Sequence, residues 1–101
     1  MAYIQPQKNL NARWLSDGGA LFVLTNQGRE YERRVKPNEL VTIIEAAALL
    51  QVSRSAPYLW INRKRNGLRA QKVRWTEGRE VYAIRLSDLS RFAVENGLMG
   101  Q

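Results

Sequence analysis

The feature that most restricts the fold is a pair of helix signals set close together within residues 42–65. Thr42 followed by Glu45 fits a capping box, in which the hydroxyl accepts a hydrogen bond from a first-turn amide and the carboxylate reaches back to the cap's own amide. A helix is expected from there to about Leu50, with Ile43, Ala47 and Leu50 on one face and Ile44 and Ala48 flanking it, the broad apolar stripe of a helix packed on a core. Gln51-Val52 leaves a very short connection, and Ser53 or Ser55 can cap a second helix continuing to about Arg65. Pro57 is tolerated only in the first turn of that helix, where a missing amide proton leaves little unpaired, so the helix must begin just before it.

The chain has 101 residues, 45% of them hydrophobic and 25% charged, which suits one domain around one modest core. It has no Cys and no His, hence no disulfide frame, no thiolate nucleophile, no zinc finger and no imidazole base. Asp17 and Asp88 are its only aspartates, and no carboxylate cluster suits a metal-dependent nuclease. The expectation is a protein that is not an enzyme and carries no cofactor or metal. No apolar run is long enough to span a membrane and residues 1–10 are too polar for a signal peptide, so a soluble, cytoplasmic protein without a membrane partner is expected.

Charge is the informative property. Lys and Arg number 16 against 9 Asp and Glu, a net +7. Between Glu45 and Glu77 there is no carboxylate, whereas Arg54, Arg63, Lys64, Arg65, Arg69, Lys72 and Arg74 all lie there, as many cations as the whole excess. The rest of the chain is balanced. One concentrated cationic segment implies a polyanionic partner, provided that its cations share one outward surface.

Before this segment, residues 1–19 read as polar and mostly irregular, ending in the loop-like Ser16-Asp17-Gly18-Gly19. Residues 20–25 and 30–35 are rich in β formers around Asn26-Gln27-Gly28 and are expected to form a hairpin. One of its strands is apolar on both faces, through Leu21 and Val23 alternating with Phe22 and Leu24. Beyond the second helix, Gly67 suits a left-handed C-cap, and residues 70–76 and 79–86 form a second hairpin. With Glu77-Gly78 as its loop, Val73 lies opposite Tyr82 and Trp75 opposite Glu80. Val73, Trp75, Tyr82 and Ile84 then face inward, Lys72 and Arg74 face outward, and Arg79 sits at the tip. Ser87 is expected to cap a last helix over residues 88–96, with Leu89, Phe92 and Ala93 buried and Gly97 ending it.

On a helical wheel at about 100° per residue, Pro57, Trp60 and Ile61 form the core side of the second helix, and Arg54, Ser55, Tyr58, Asn62 and Arg65 another side. A basic face is often merely solvated; here no acid interrupts it, which favours binding. Trp60, Trp75, Tyr82 and Phe92 have the spacing of core residues rather than of stacking platforms, which weighs against a single-strand binder.

The run Val41-Thr42-Ile43-Ile44-Glu45-Ala46-Ala47-Ala48-Leu49-Leu50-Gln51-Val52-Ser53-Arg54-Ser55 resembles the helix-turn-helix of the MerR-like and excisionase-like winged-helix proteins. The likeness continues through Gly67-Leu68-Arg69-Ala70 and Val81-Tyr82-Ala83-Ile84-Arg85-Leu86-Ser87-Asp88-Leu89. It implies an α+β winged helix-turn-helix over residues 41–97, preceded by a β-hairpin extension in residues 1–40 and followed by a tail, 98–101. The implied partner is double-stranded DNA, met in the major groove by Arg54, Ser55, Tyr58, Asn62 and Arg65, with Ser53 and Arg63 beside them and Lys72, Arg74 and Arg79 on the wing. Pro57 departs from the family, which carries a small or β-branched residue there. The coiled coil and effector domain of full MerR regulators are also missing, which favours the small branch without a small-molecule effector. The N-terminal hairpin is expected to pack on the winged helix and extend its core; the sharper alternative is a homodimer or tandem assembly through it, which would extend the few base pairs that one module reads. An RNA-binding module, and a protein-interaction adaptor with the same fold, are the alternatives.

Overall fold

The computed structural model describes residues 10–74 and 78–98. In chain order the elements are β1 (Leu10–Trp14), β2 (Ala20–Asn26), β3 (Arg29–Val35), β4 (Leu40–Thr42), α1 (Ile43–Leu50), α2 (Ser55–Ile61), β5 (Gln71–Arg74), β6 (Glu80–Arg85) and α3 (Leu86–Glu95). The strands form two antiparallel three-stranded sheets, ordered β1-β2-β3 and β4-β6-β5. The class is therefore α+β, as the sequence implies.

The expected N-terminal hairpin forms, closed by Gln27 and Gly28, both in left-handed backbone (φ 53° and 79°). The irregular reading of residues 1–19 is corrected over β1, which pairs with β2 from Leu10↔Leu24 to Trp14↔Ala20. Leu10, Ala12 and Trp14 alternate with exposed Asn11 and Arg13, a pattern too short to identify a strand without its partner. This sheet does not stand apart. Ala20, Phe22 and Val35 join Val41, Ile43, Leu49, Ile84, Leu86, Leu89 and Phe92 in one buried cluster. Each large side chain so buried contributes roughly 1.5–3 kcal/mol.

The capping box of α1 is present: Glu45 N–H donates to Thr42 Oγ1 at 3.2 Å, and Thr42 N–H donates to Glu45 Oε1 at 2.9 Å. The other oxygen of Glu45 takes the Arg33 guanidinium, which also donates to the Leu40 carbonyl at 2.8 Å, so β3 is tied to the start of α1. The C-terminus of α1 closes on Gln51, whose φ is 57°, with the Val52 amide returned to the Ala47 carbonyl at 3.0 Å.

The second helix is shorter than expected and is capped differently. It ends at Ile61 rather than Arg65, because the Asn62 side chain donates to the Tyr58 carbonyl at 2.9 Å and the Leu68 amide returns to the Trp60 carbonyl at 3.0 Å. The left-handed residue of the following turn is Asn66 (φ 53°), not Gly67. Gly67 serves instead for close approach, since a Cβ there would sit 2.8 Å from the Trp60 carbonyl oxygen. At the other end neither Ser53 nor Ser55 caps an amide; Arg54 holds the cap position, and the two serine hydroxyls share a 3.0 Å hydrogen bond. Pro57 lies in the first turn, buried.

Two further expectations are corrected. The β5–β6 register is Lys72↔Tyr82, Val73↔Val81 and Arg74↔Glu80, one residue away from the pairing read from the loop. A slip of one exchanges faces, so Lys72 and Arg74 share a face with Tyr82 and Ile84, and Val73 lies on the other. Trp75 and Glu77, part of that expectation, lie outside the described residues. At α3, Ser87 is not the cap: the helix starts at Leu86, and the amides of Leu86 and Ser87 donate to the carbonyls of Glu39 and Pro37, both at 2.9 Å. Gly97 (φ 68°) ends α3 as expected, with the Leu98 amide returned to Ala93 at 2.8 Å.

Candidate nucleic-acid interface

The site is built where α2 meets the β5–β6 hairpin. Pro57 is buried and Trp60 packs on Phe92 with ring centroids 5.1 Å apart, which fixes the inner side of α2. Tyr58 consequently points outward, 47% exposed, and its ring meets Tyr82 of β6 edge-on at 5.9 Å and 73°. Lys72, across from Tyr82 in the sheet, lays its ammonium over the same ring, 5.5 Å from the centroid. Tyr82 thus bridges helix and hairpin. Its role was not legible in the sequence, because the expected register sent it inward, away from Lys72.

Around this bridge runs a cleft of about 520 Å³, lined by Thr42, Ile43 and Ile44 at the start of α1, Arg54 and Tyr58 of the second-helix region, and Arg79, Val81 and Tyr82 of the hairpin. Among the described residues no carboxylate lines it. Arg54 and Arg79 therefore line the cleft, one from the acid-free segment and one from just beyond it, while Lys72 lies over the Tyr82 ring. Ser53 and Ser55 lie exposed beside Arg54. Arg74 is exposed on the same sheet face as Lys72, opposite Glu80.

The remaining expected site residues do not line the cleft. Asn62 spends its amide on the Tyr58 carbonyl. Arg63 turns toward α3, with its guanidinium 5.6 Å from the Phe92 ring centroid and a nitrogen 3.5 Å from Asn96 Oδ1. Arg65 is exposed in the turn after α2 rather than on the helix. Arg69 lines a separate pocket with Arg85 and Asp88, beside Gln71 and Ala83. Of the cations in the acid-free segment, Arg63 and Arg69 thus lie away from the cleft.

Among the described residues no helix is long and apolar enough to cross a membrane. Comparison with protein-family models, with curated proteins and with solved structures yields no match.

Proposed function

We propose that this chain is a sequence-specific double-stranded DNA-binding protein of winged helix-turn-helix type, acting as a small transcriptional regulator or as an architectural, excisionase-like recombination factor. The observation that carries the reading is the contact of Tyr58 on α2 with Tyr82 on the hairpin, whose ring also carries the Lys72 ammonium, beside a cleft lined by Arg54 and Arg79 and, among the described residues, by no acid. The element order α1, α2, hairpin, α3 supports it, being the order that the family resemblance implies.

In this reading α2 enters the major groove by its N-terminal turn. Arg54 grips a guanine edge with two hydrogen bonds, worth roughly 1–3 kcal/mol of discrimination, while Ser53, Ser55 and Tyr58 hold phosphates. Lys72, Arg74 and Arg79 meet the flanking backbone from the hairpin. Each phosphate neutralised releases condensed counterions, so affinity falls with salt by about 0.9 log units per contact for each log unit of salt. Binding requires no catalytic group. Asn62, held by its own helix, contributes no base contact.

The test is selection of bound sites from random duplexes at two salt concentrations. Recovery of one consensus at both is the expected result; enrichment of no sequence, or tighter binding to structured RNA, contradicts the reading.

A further inference from the structure

The same cleft has two properties that a duplex does not use. Its floor is apolar, made by Ile43, Ile44 and Val81, whereas its lips carry Arg54 and Arg79. In addition, β4 ends at Thr42 and covers β6 only from Ala83 to Arg85. Among the described residues, that edge of β6 therefore has no strand beside it over residues 80–82, where it borders the cleft. A sugar–phosphate surface supplies charge to the arginines, but neither apolar side chains for the floor nor a backbone for a strand edge.

We propose that the cleft receives an extended segment of a partner protein in which a short apolar run is flanked by Asp or Glu. Its apolar side chains rest on Ile44 and Val81, its backbone follows the open edge of β6, and its carboxylates meet Arg54 and Arg79. Charge complementarity selects this occupant: among the described residues the lining holds two guanidinium groups and no acid, and each guanidinium can take a carboxylate with two parallel hydrogen bonds. The proposal is independent of the DNA reading, yet it shares Arg54 and Arg79 with it, so segment and duplex compete.

The test uses the full chain and a fluorescein-labelled peptide, Glu-Glu-Val-Phe-Val-Glu-Glu, with Glu-Glu-Ser-Ser-Ser-Glu-Glu and polyglutamate as charge-only probes. Fluorescence anisotropy reads peptide affinity, and duplex affinity is measured on the same samples. The apolar peptide is expected to bind about tenfold more tightly than either charge-only probe. Ile44→Ser, or Val81→Ser should the first not fold, weakens the peptide about tenfold and leaves duplex affinity within about twofold, whereas Arg54→Glu weakens both. Amide hydrogen exchange over residues 80–82 slows when the peptide binds. Equal affinity for all three probes, or peptide affinity unchanged in a folded floor variant, overturns the proposal. Equal weakening of peptide and duplex by the floor variant assigns the cleft to the duplex and overturns it too. If the chain binds no duplex while the peptide pattern holds, the DNA reading fails and this one stands.

Discussion

Gln51 holds a left-handed conformation, φ 57°, which costs a residue bearing a Cβ about 1–2 kcal/mol. Its side chain is exposed, and the position matters for its backbone, which lets the Val52 amide reach Ala47. Gln51→Gly is expected to stabilise the protein by about 0.5–1 kcal/mol, seen as a higher urea midpoint at unchanged slope. Asn62 shows how one hydrogen bond reassigns a residue: an amide suited to adenine is bound to the Tyr58 carbonyl instead. Asn62→Ala should cost about 0.5–1 kcal/mol of stability and leave the selected DNA consensus unchanged. A consensus altered at one base by this substitution would show that the amide leaves its cap to read DNA.

Elements were legible in the sequence where their signals are local. The capping box of Thr42 and Glu45, the stripe of α1 and the run of β formers in β2 before Asn26-Gln27-Gly28 needed no partner to be read. What escaped depends on distant contacts. The end of α2 is set by the return of Leu68 to Trp60, the start of α3 by the carbonyls of Pro37 and Glu39, and β1 by pairing with β2. The β5–β6 register rests on how the loop closes, and a difference of one residue moved Tyr82 from the expected inner face to the side of Lys72. Of the residues marked in the sequence, Arg54, Tyr58 and Arg79 line the cleft and Lys72 lies over Tyr82, whereas the helix face extending to Asn62 and Arg65 comes from extending a periodic pattern past the end of α2 at Ile61. Tyr82 now holds helix and hairpin together. Tyr82→Phe keeps the ring and should retain stability and duplex affinity; Tyr82→Ala should cost about 2–3 kcal/mol in a thermal melt and weaken duplex binding about tenfold.

At the scale of the molecule, one core joins both sheets, and the charge excess is divided between the cleft and other faces. The N-terminal sheet leaves Leu24 and Tyr31 paired across β2 and β3 while 41% and 51% exposed, an apolar pair suited to contact between copies bound side by side on DNA. Sedimentation with a duplex present should show more than one copy per DNA for the wild type and fewer for Tyr31→Glu; equal stoichiometry for both removes the pair from assembly. The cleft itself is tested most directly by the salt dependence of duplex affinity for the wild type, Arg54→Ala, Lys72→Ala, Arg79→Ala and Arg63→Ala. Each of the first three substitutions should lower the magnitude of the log–log slope by about 0.9, and Arg63→Ala, turned toward Phe92, should leave it unchanged. A slope reduced by Arg63→Ala but not by the variants at Arg54, Lys72 and Arg79 would contradict the account.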